Sequence, residues 1–140
     1  MAAPVSENRT RLKDANGAEL IIPEKSTGPR ITLTLVDETG TVVPLAAITT
    51  AQLTIYARDE AALPIINSVD HVNIKNDGVR GTIHATSGLL TLTLQPNDNA
   101  IANVASDLEW HRMLIEINYS GTQYLRHELE VPVRNLNKVS

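Results

Sequence analysis

From Met113 to Val133 the chain alternates apolar and polar residues, and this run constrains the fold more than any other feature. Met113, Ile115, Ile117 and Tyr119 recur every second position, as do Leu125, His127, Leu129, Val131 and Val133 beyond Ser120-Gly121-Thr122. Successive side chains of an extended strand point to opposite faces, so such a period buries one face of a strand and no helix. Two long runs separated by a three-residue turn predict an antiparallel hairpin. A hairpin cannot bury its apolar face alone, so the remainder of the chain must supply more sheet.

It does so in shorter pieces. Ile31-Thr32-Leu33-Thr34-Leu35 alternates and then meets Asp37-Glu38-Thr39-Gly40, a turn. Thr41-Val42-Val43 is extended as far as Pro44, and Gln52–Arg58 places Leu53, Ile55 and Ala57 on one face. A weaker strand runs through Val72 and Ile74 to Asn76-Asp77-Gly78, and Leu90-Thr91-Leu92-Thr93-Leu94 repeats the clean alternation. Leu33, Leu35, Leu53, Ile55, Leu92, Leu94, Ile115, Ile117, Leu129 and Val131 are therefore expected in the core. One stretch departs from this period. Ala100, Ile101 and Val104 follow Pro96 at helical spacing, which predicts one short helix near Asp98–Val104, capped by Asn97 or Asp98. The fold class is all-β: an antiparallel β-sandwich of about seven or eight strands over residues 31–135, with a barrel as the alternative. Residues 136–140 form a C-terminal tail.

Residues 1–30 read differently. They carry five basic and four acidic residues, against seven basic and twelve acidic in residues 31–140. Pro4, Pro23 and Pro29 interrupt them, and Asn16-Gly17 suits a tight hairpin turn. Their one apolar cluster is Leu20-Ile21-Ile22. Two readings stand: a frayed terminus, or an extended N-terminal arm that orders against a neighbouring subunit through Leu20, Ile21 and Ile22.

Chemistry is sparse. With no cysteine there is no disulfide and no thiolate ligand or nucleophile. His71, His84, His111 and His127 form none of the short spacings that aim two imidazoles at one metal. Glu109 and His111 lie two apart and share a strand face, whereas Asp70-His71 and His127-Glu128 point to opposite faces. His127 reads as an imidazole on an otherwise apolar face. Thr86-Ser87-Gly88 lacks a nucleophile elbow. Asp37-Glu38 and Asp59-Glu60 read as solvated turns, and Gly78-Val79-Arg80-Gly81 is no phosphate loop. No catalytic residue, cofactor or metal site is assigned, and no enzymatic activity is expected. A net charge of −4 argues against nucleic acid as a partner. Neither a signal sequence nor a membrane-spanning run is evident, which predicts a protein made in a cytoplasm. Phe is absent and the aromatics are Trp110, Tyr56, Tyr119 and Tyr124. That leaves little for stacking sugars or bases, and Trp110 is expected as a core anchor.

The order of these segments resembles a family of bacteriophage virion domains: the immunoglobulin-like N-terminal domains of baseplate upper proteins and related small tail or neck proteins. The resemblance lies in Ile31–Gly40 followed by Val43-Pro44-Leu45, in Ala51–Arg58, and in Gly88–Asp98, which matches a strand–Pro–x–Asp turn. A short helix then leads to Trp110, the aromatic that opens the next strand. It covers residues 30–135. Ser106-Asp107-Leu108-Glu109 stands where the family often has a glycine, and the first thirty residues have no counterpart. The resemblance implies an immunoglobulin-like sandwich in a virion structural protein. Such a protein links other virion proteins by protein–protein contact and is homo-oligomeric in the particle. The reading of another class is a free ligand-binding sandwich, such as a carbohydrate-binding domain.

Overall fold

The computed structural model describes residues 6–11 (by their backbone), 20–26, 30–66 and 68–136. Its strands are β1 (Ser6–Arg11), β2 (Ile22–Pro23), β3 (Arg30–Thr34), β4 (Ile48–Ala57), β5 (Val72–Asn73), β6 (Gly81–Ile83), β7 (Leu89–Thr93), β8 (Leu108–Tyr119) and β9 (Gln123–Arg134). The fold is all-β and has two sheets.

The larger sheet runs in the order β1-β9-β8-β4-β5, and β2 also pairs with β9. Its centre is the hairpin expected from the period-two run, with β8 and β9 in unbroken register from Leu108↔Arg134 to Tyr119↔Gln123. Ser120 and Gly121 both take positive φ in that turn. On the other side of β8 lies β4, antiparallel, with Leu53 opposite Ile115 and Ile55 opposite Met113. The free side of β4 is lined by irregular chain. Pro64, Ile66, Val69 and Ile74 exchange backbone hydrogen bonds with it, and β5 is only two residues long. The smaller sheet has the order β3-β7-β6, all antiparallel.

Both sheets contribute to one apolar core. Ile31, Ile83, Leu90 and Leu92 come from the smaller sheet, and Leu53, Ile55, Met113, Ile115, Ile117, Leu125, Leu129, Val131 and Val133 from the larger. Of the ten residues that alternation places in the core, all are buried but Leu33, which is half-buried although Ile31 on the same face of β3 is buried. Gly81 is fixed by a close approach: a Cβ there would sit 2.0 Å from the Ile74 carbonyl oxygen. Only glycine lets the 74–81 turn fold back onto β6.

Three expectations change. The helix expected near Asp98–Val104 is a single 3-10 turn at Pro96–Asn99, and Ala100 is already extended with ψ 154°. Proline at its start sets the first turn. Asp98 accepts from the Gln95 amide at 2.8 Å while also binding Arg80, which fixes it in place. Beyond it Val104 is 74% exposed, so the apolar spacing had no buried face to serve. The sheet is also not purely antiparallel, because β1 and β2 lie parallel to β9. Finally, the strands do not begin at Ile31. The N-terminal segment forms one border of the larger sheet, although the Asn16-Gly17 turn lies outside the described residues.

Candidate functional site

Of the three residues assigned to a partner-binding arm, the structure uses them differently. Ile22 is 1% exposed and belongs to the chain's own core, Leu20 is half-buried against it, and Ile21 is 39% exposed. A strand alternates its faces, so consecutive apolar residues cannot all go inward. Ile22 is thus packed into the chain's own core. The anchor is reinforced around it: Glu24 N donates to Arg134 O, Lys25 N to Asn99 O, and Asn99 Nδ2 to Ser26 O. Leu136 N donates to Glu24 Oε1 at 2.8 Å.

Glu109 and His111 share a face of β8, and that face is the buried one. They are 4% and 1% exposed, with Nε2 of His111 2.7 Å from Oε1 of Glu109. The carboxylate also accepts from the backbone amides of Ala102 at 2.8 Å and Asn103 at 2.7 Å. Burial pushes the Glu109 pKa up, but the hydrogen bonds from His111, Ala102 and Asn103 more than offset this and hold it below its ordinary value. The pair therefore serves as a latch for the 100–107 loop, which Asn135 holds from the other side through Val104 O and Ser106 O. A shallow cleft of about 420 Å³ lies above it, between Glu60–Pro64 and Ala102–Val104.

The outward face of the larger sheet is the most chemically dense surface. Trp110 sits there rather than in the core, since it alternates with Glu109 and His111. Arg58 lies over its ring at 4.8 Å, and Arg112 lies 5.9 Å from the Tyr56 ring centroid. Both arginines bind Glu130, at 3.1 and 3.0 Å, and Arg58 also pairs with Asp59. Burial pushes Glu130 up, but Arg112 and Arg58 outweigh it and keep the carboxylate charged. Tyr124 donates to Glu116 at 2.7 Å, and Arg126 to Glu128 at 2.8 Å. Tyr56, Trp110 and Tyr124 thus share one face that sequence reasoning did not assign. The signal was available, because counting back by two from Met113 puts 111 and 109 inward and 112 and 110 outward. One face of Trp110 is covered by a guanidinium, which competes with a stacked sugar or base.

Asp70 and His71 are not split across a strand. They lie in a loop, His71 at φ 53°, and their side chains pair directly. His127 lies on the core face of β9, opposite Ile115 on β8 and Asn8 on β1. The residue is half-buried, but its Nε2 is fully enclosed and has no hydrogen-bond partner among the described residues. Burial pushes its pKa below the ordinary 6.5. The unfolded chain then binds more protons, so stability is full above pH 6.5 and falls as the pH drops from there toward the lowered folded value. A His127→Leu variant should lose this slope, and melting temperatures of both proteins across that window would check it. An equal slope in the variant would mean that another group titrates.

Among the described residues no group of three or more His, Asp or Glu side chains is placed to hold a metal ion. No described helix is long and apolar enough to cross a membrane. The chain matches no protein-family sequence profile and no curated protein sequence.

Proposed function

We propose that this chain is a bacteriophage virion structural protein, of tail, neck or baseplate, with an immunoglobulin-like sandwich that joins other virion proteins through protein–protein contacts. The resemblance of residues 30–135 to phage virion domains supports the reading, as does the all-β, two-sheet fold. The observation that carries it is the pairing of the N-terminal segment. Arg11 lies opposite Glu130 and Ile22 opposite Val133. Three residue steps along β9 span about 10 Å. The ten residues between Arg11 and Ile22 can reach roughly 33–36 Å when extended. The connection is thus much longer than pairing within one chain requires. With Ile22 anchored in its own core, β1 can be delivered to the β9 edge of a neighbouring copy, a strand addition held by backbone bonds.

The exchangeable arm is therefore residues 1–11, whereas deletion of 1–27 would remove the buried Ile22 and destabilise the core. A chain lacking residues 1–11 should remain folded by circular dichroism and fail to join its complex. Immunogold labelling of phage particles from the native source, with antibody against this chain, tests the assignment directly. Gold on the particles is expected; label confined to free protein would overturn it.

A further inference from the structure

The molecule treats its sheet edges unequally. In β6 the amides that point away from β7 are Gly81 and Ile83. Both are taken by side chains, Asp77 Oδ1 at 2.8 Å and Asn76 Oδ1 at 2.6 Å. The open side of β4 is occupied by Pro64, Ile66, Val69 and Ile74 and by the two-residue β5. Both devices prevent another strand from docking. The edge of β3 has neither. Ile31 and Leu33 pair with Leu92 and Leu90 of β7, and Leu35 N donates to Gly88 O at 2.8 Å. Antiparallel pairing turns alternate residues outward, so Arg30, Thr32 and Thr34 direct their N–H and C=O groups away from β7. Among the described residues nothing accepts or donates to them. β3 carries no proline, lysine or bulge, and Leu33 on its inward face stays half-exposed.

We propose that the β3 edge is an interface between two copies of this chain, which pair β3 with β3 antiparallel about a twofold axis at Thr32. The occupant follows from the strand's own pattern. Arg30-Ile31-Thr32-Leu33-Thr34 is symmetric about Thr32, with apolar residues on either side and polar residues beyond. Reversed against itself, it sets Ile31 opposite the neighbour's Leu33 on the core side, and Arg30 opposite Thr34 on the outer side. No like charges meet, and the half-exposed Leu33 is covered. Self-complementarity of one patch is what a twofold contact requires. The centred register forms about six backbone hydrogen bonds and joins the two small sheets into one.

The inference deepens the proposed assembly role but concerns the purified chain, so its test is separate from particle labelling. Sedimentation over a concentration series should give a dimer for the full chain. Thr32→Pro removes an outward N–H, which an edge strand tolerates, and should give a folded monomer. A monomer at every concentration, or a Thr32→Pro dimer, overturns the proposal; the latter leaves β1 exchange as the contact. If Thr32→Pro does not fold, single cysteines decide, because the chain has none of its own. Opposed Thr32→Cys residues lie about 5.5 Å apart at Cα, within the range a disulfide spans. Oxidation should give a covalent dimer. Thr82→Cys, exposed on the blocked β6, should stay monomeric; equal cross-linking at both positions overturns the interface.

Discussion

Replacing Asp98 by alanine is expected to cost about 3–5 kcal/mol, the range for breaking a buried ion pair from one side. Asp98 is fully buried, and Arg80 binds it with two parallel hydrogen bonds of 2.8 Å. The same carboxylate accepts from the Gln95 amide, closing the 3-10 turn at Pro96–Asn99. That turn presents Asn99 to Lys25 and Ser26. One side chain therefore ties the 76–81 turn, the 95–99 turn and the anchored N-terminal segment together. Without it a largely buried guanidinium keeps only the coulombic attraction of Asp77 and loses both hydrogen bonds, and the contacts of residues 24–26 loosen. A fall in melting temperature of roughly 10–20 °C is the expected reading. Arg80→Met in the Asp98→Ala background should recover part of the loss, because no unpaired charge then remains. Failure of the second change to recover anything would place the cost in the turn itself.

How much of this was legible depends on the range of the interaction involved. β8, β9, β4 and β7 follow from alternation alone, because each buries one face and a slip of one residue would expose Leu53, Ile115 or Leu92. Leu33 departs from the same rule: Ile31 on the same strand face is buried and Leu33 only half so, a difference along the strand that alternation does not reveal. For Trp110 residue type points inward, but the phase of its own strand places it outward. Apolar spacing does not reveal the 3-10 turn, since its geometry is set by Pro96 and by Arg80, eighteen residues before Asp98. The parallel pairing of β1 and β2 with β9 joins the two ends of the sequence. Nothing in the local pattern of Ser6–Arg11 specifies that partner or register. Of the candidate surfaces, Glu109 and His111 were visible as residues sharing a face, but their burial came from extending the Met113–Tyr119 face backward. The arginine–aromatic face required the register of three strands at once.

That backward extension leads to the second large effect. Glu109→Ala should destabilise the protein by about 1–3 kcal/mol, because the buried His111 imidazole loses its acceptor while the amides of exposed Ala102 and half-buried Asn103 can turn to water. Each buried polar group left unmade costs about 1–3 kcal/mol. The damage should be local as well as global. Hydrogen exchange ought to rise first at Ala102 and Asn103, since the hold of Glu109 on the 100–107 loop is lost while those of Asn135 and of the packed Ala100 and Ile101 remain. Glu109→Gln keeps an acceptor oxygen without the charge and should fall between the two. The pH dependence separates charge from shape. Because the folded pKa of Glu109 lies below its ordinary 4.5, its ionised form stabilises the fold above that pH. The contribution is lost as the pH falls from there through the folded value. Wild-type stability should therefore drop more steeply in this acid window than that of Glu109→Gln, which keeps the slope of the other lowered carboxylates, Glu130, Asp37 and Asp59. Parallel curves for wild type and Glu109→Gln would show that the carboxylate holds the loop by shape alone, and that its charge contributes nothing to the latch.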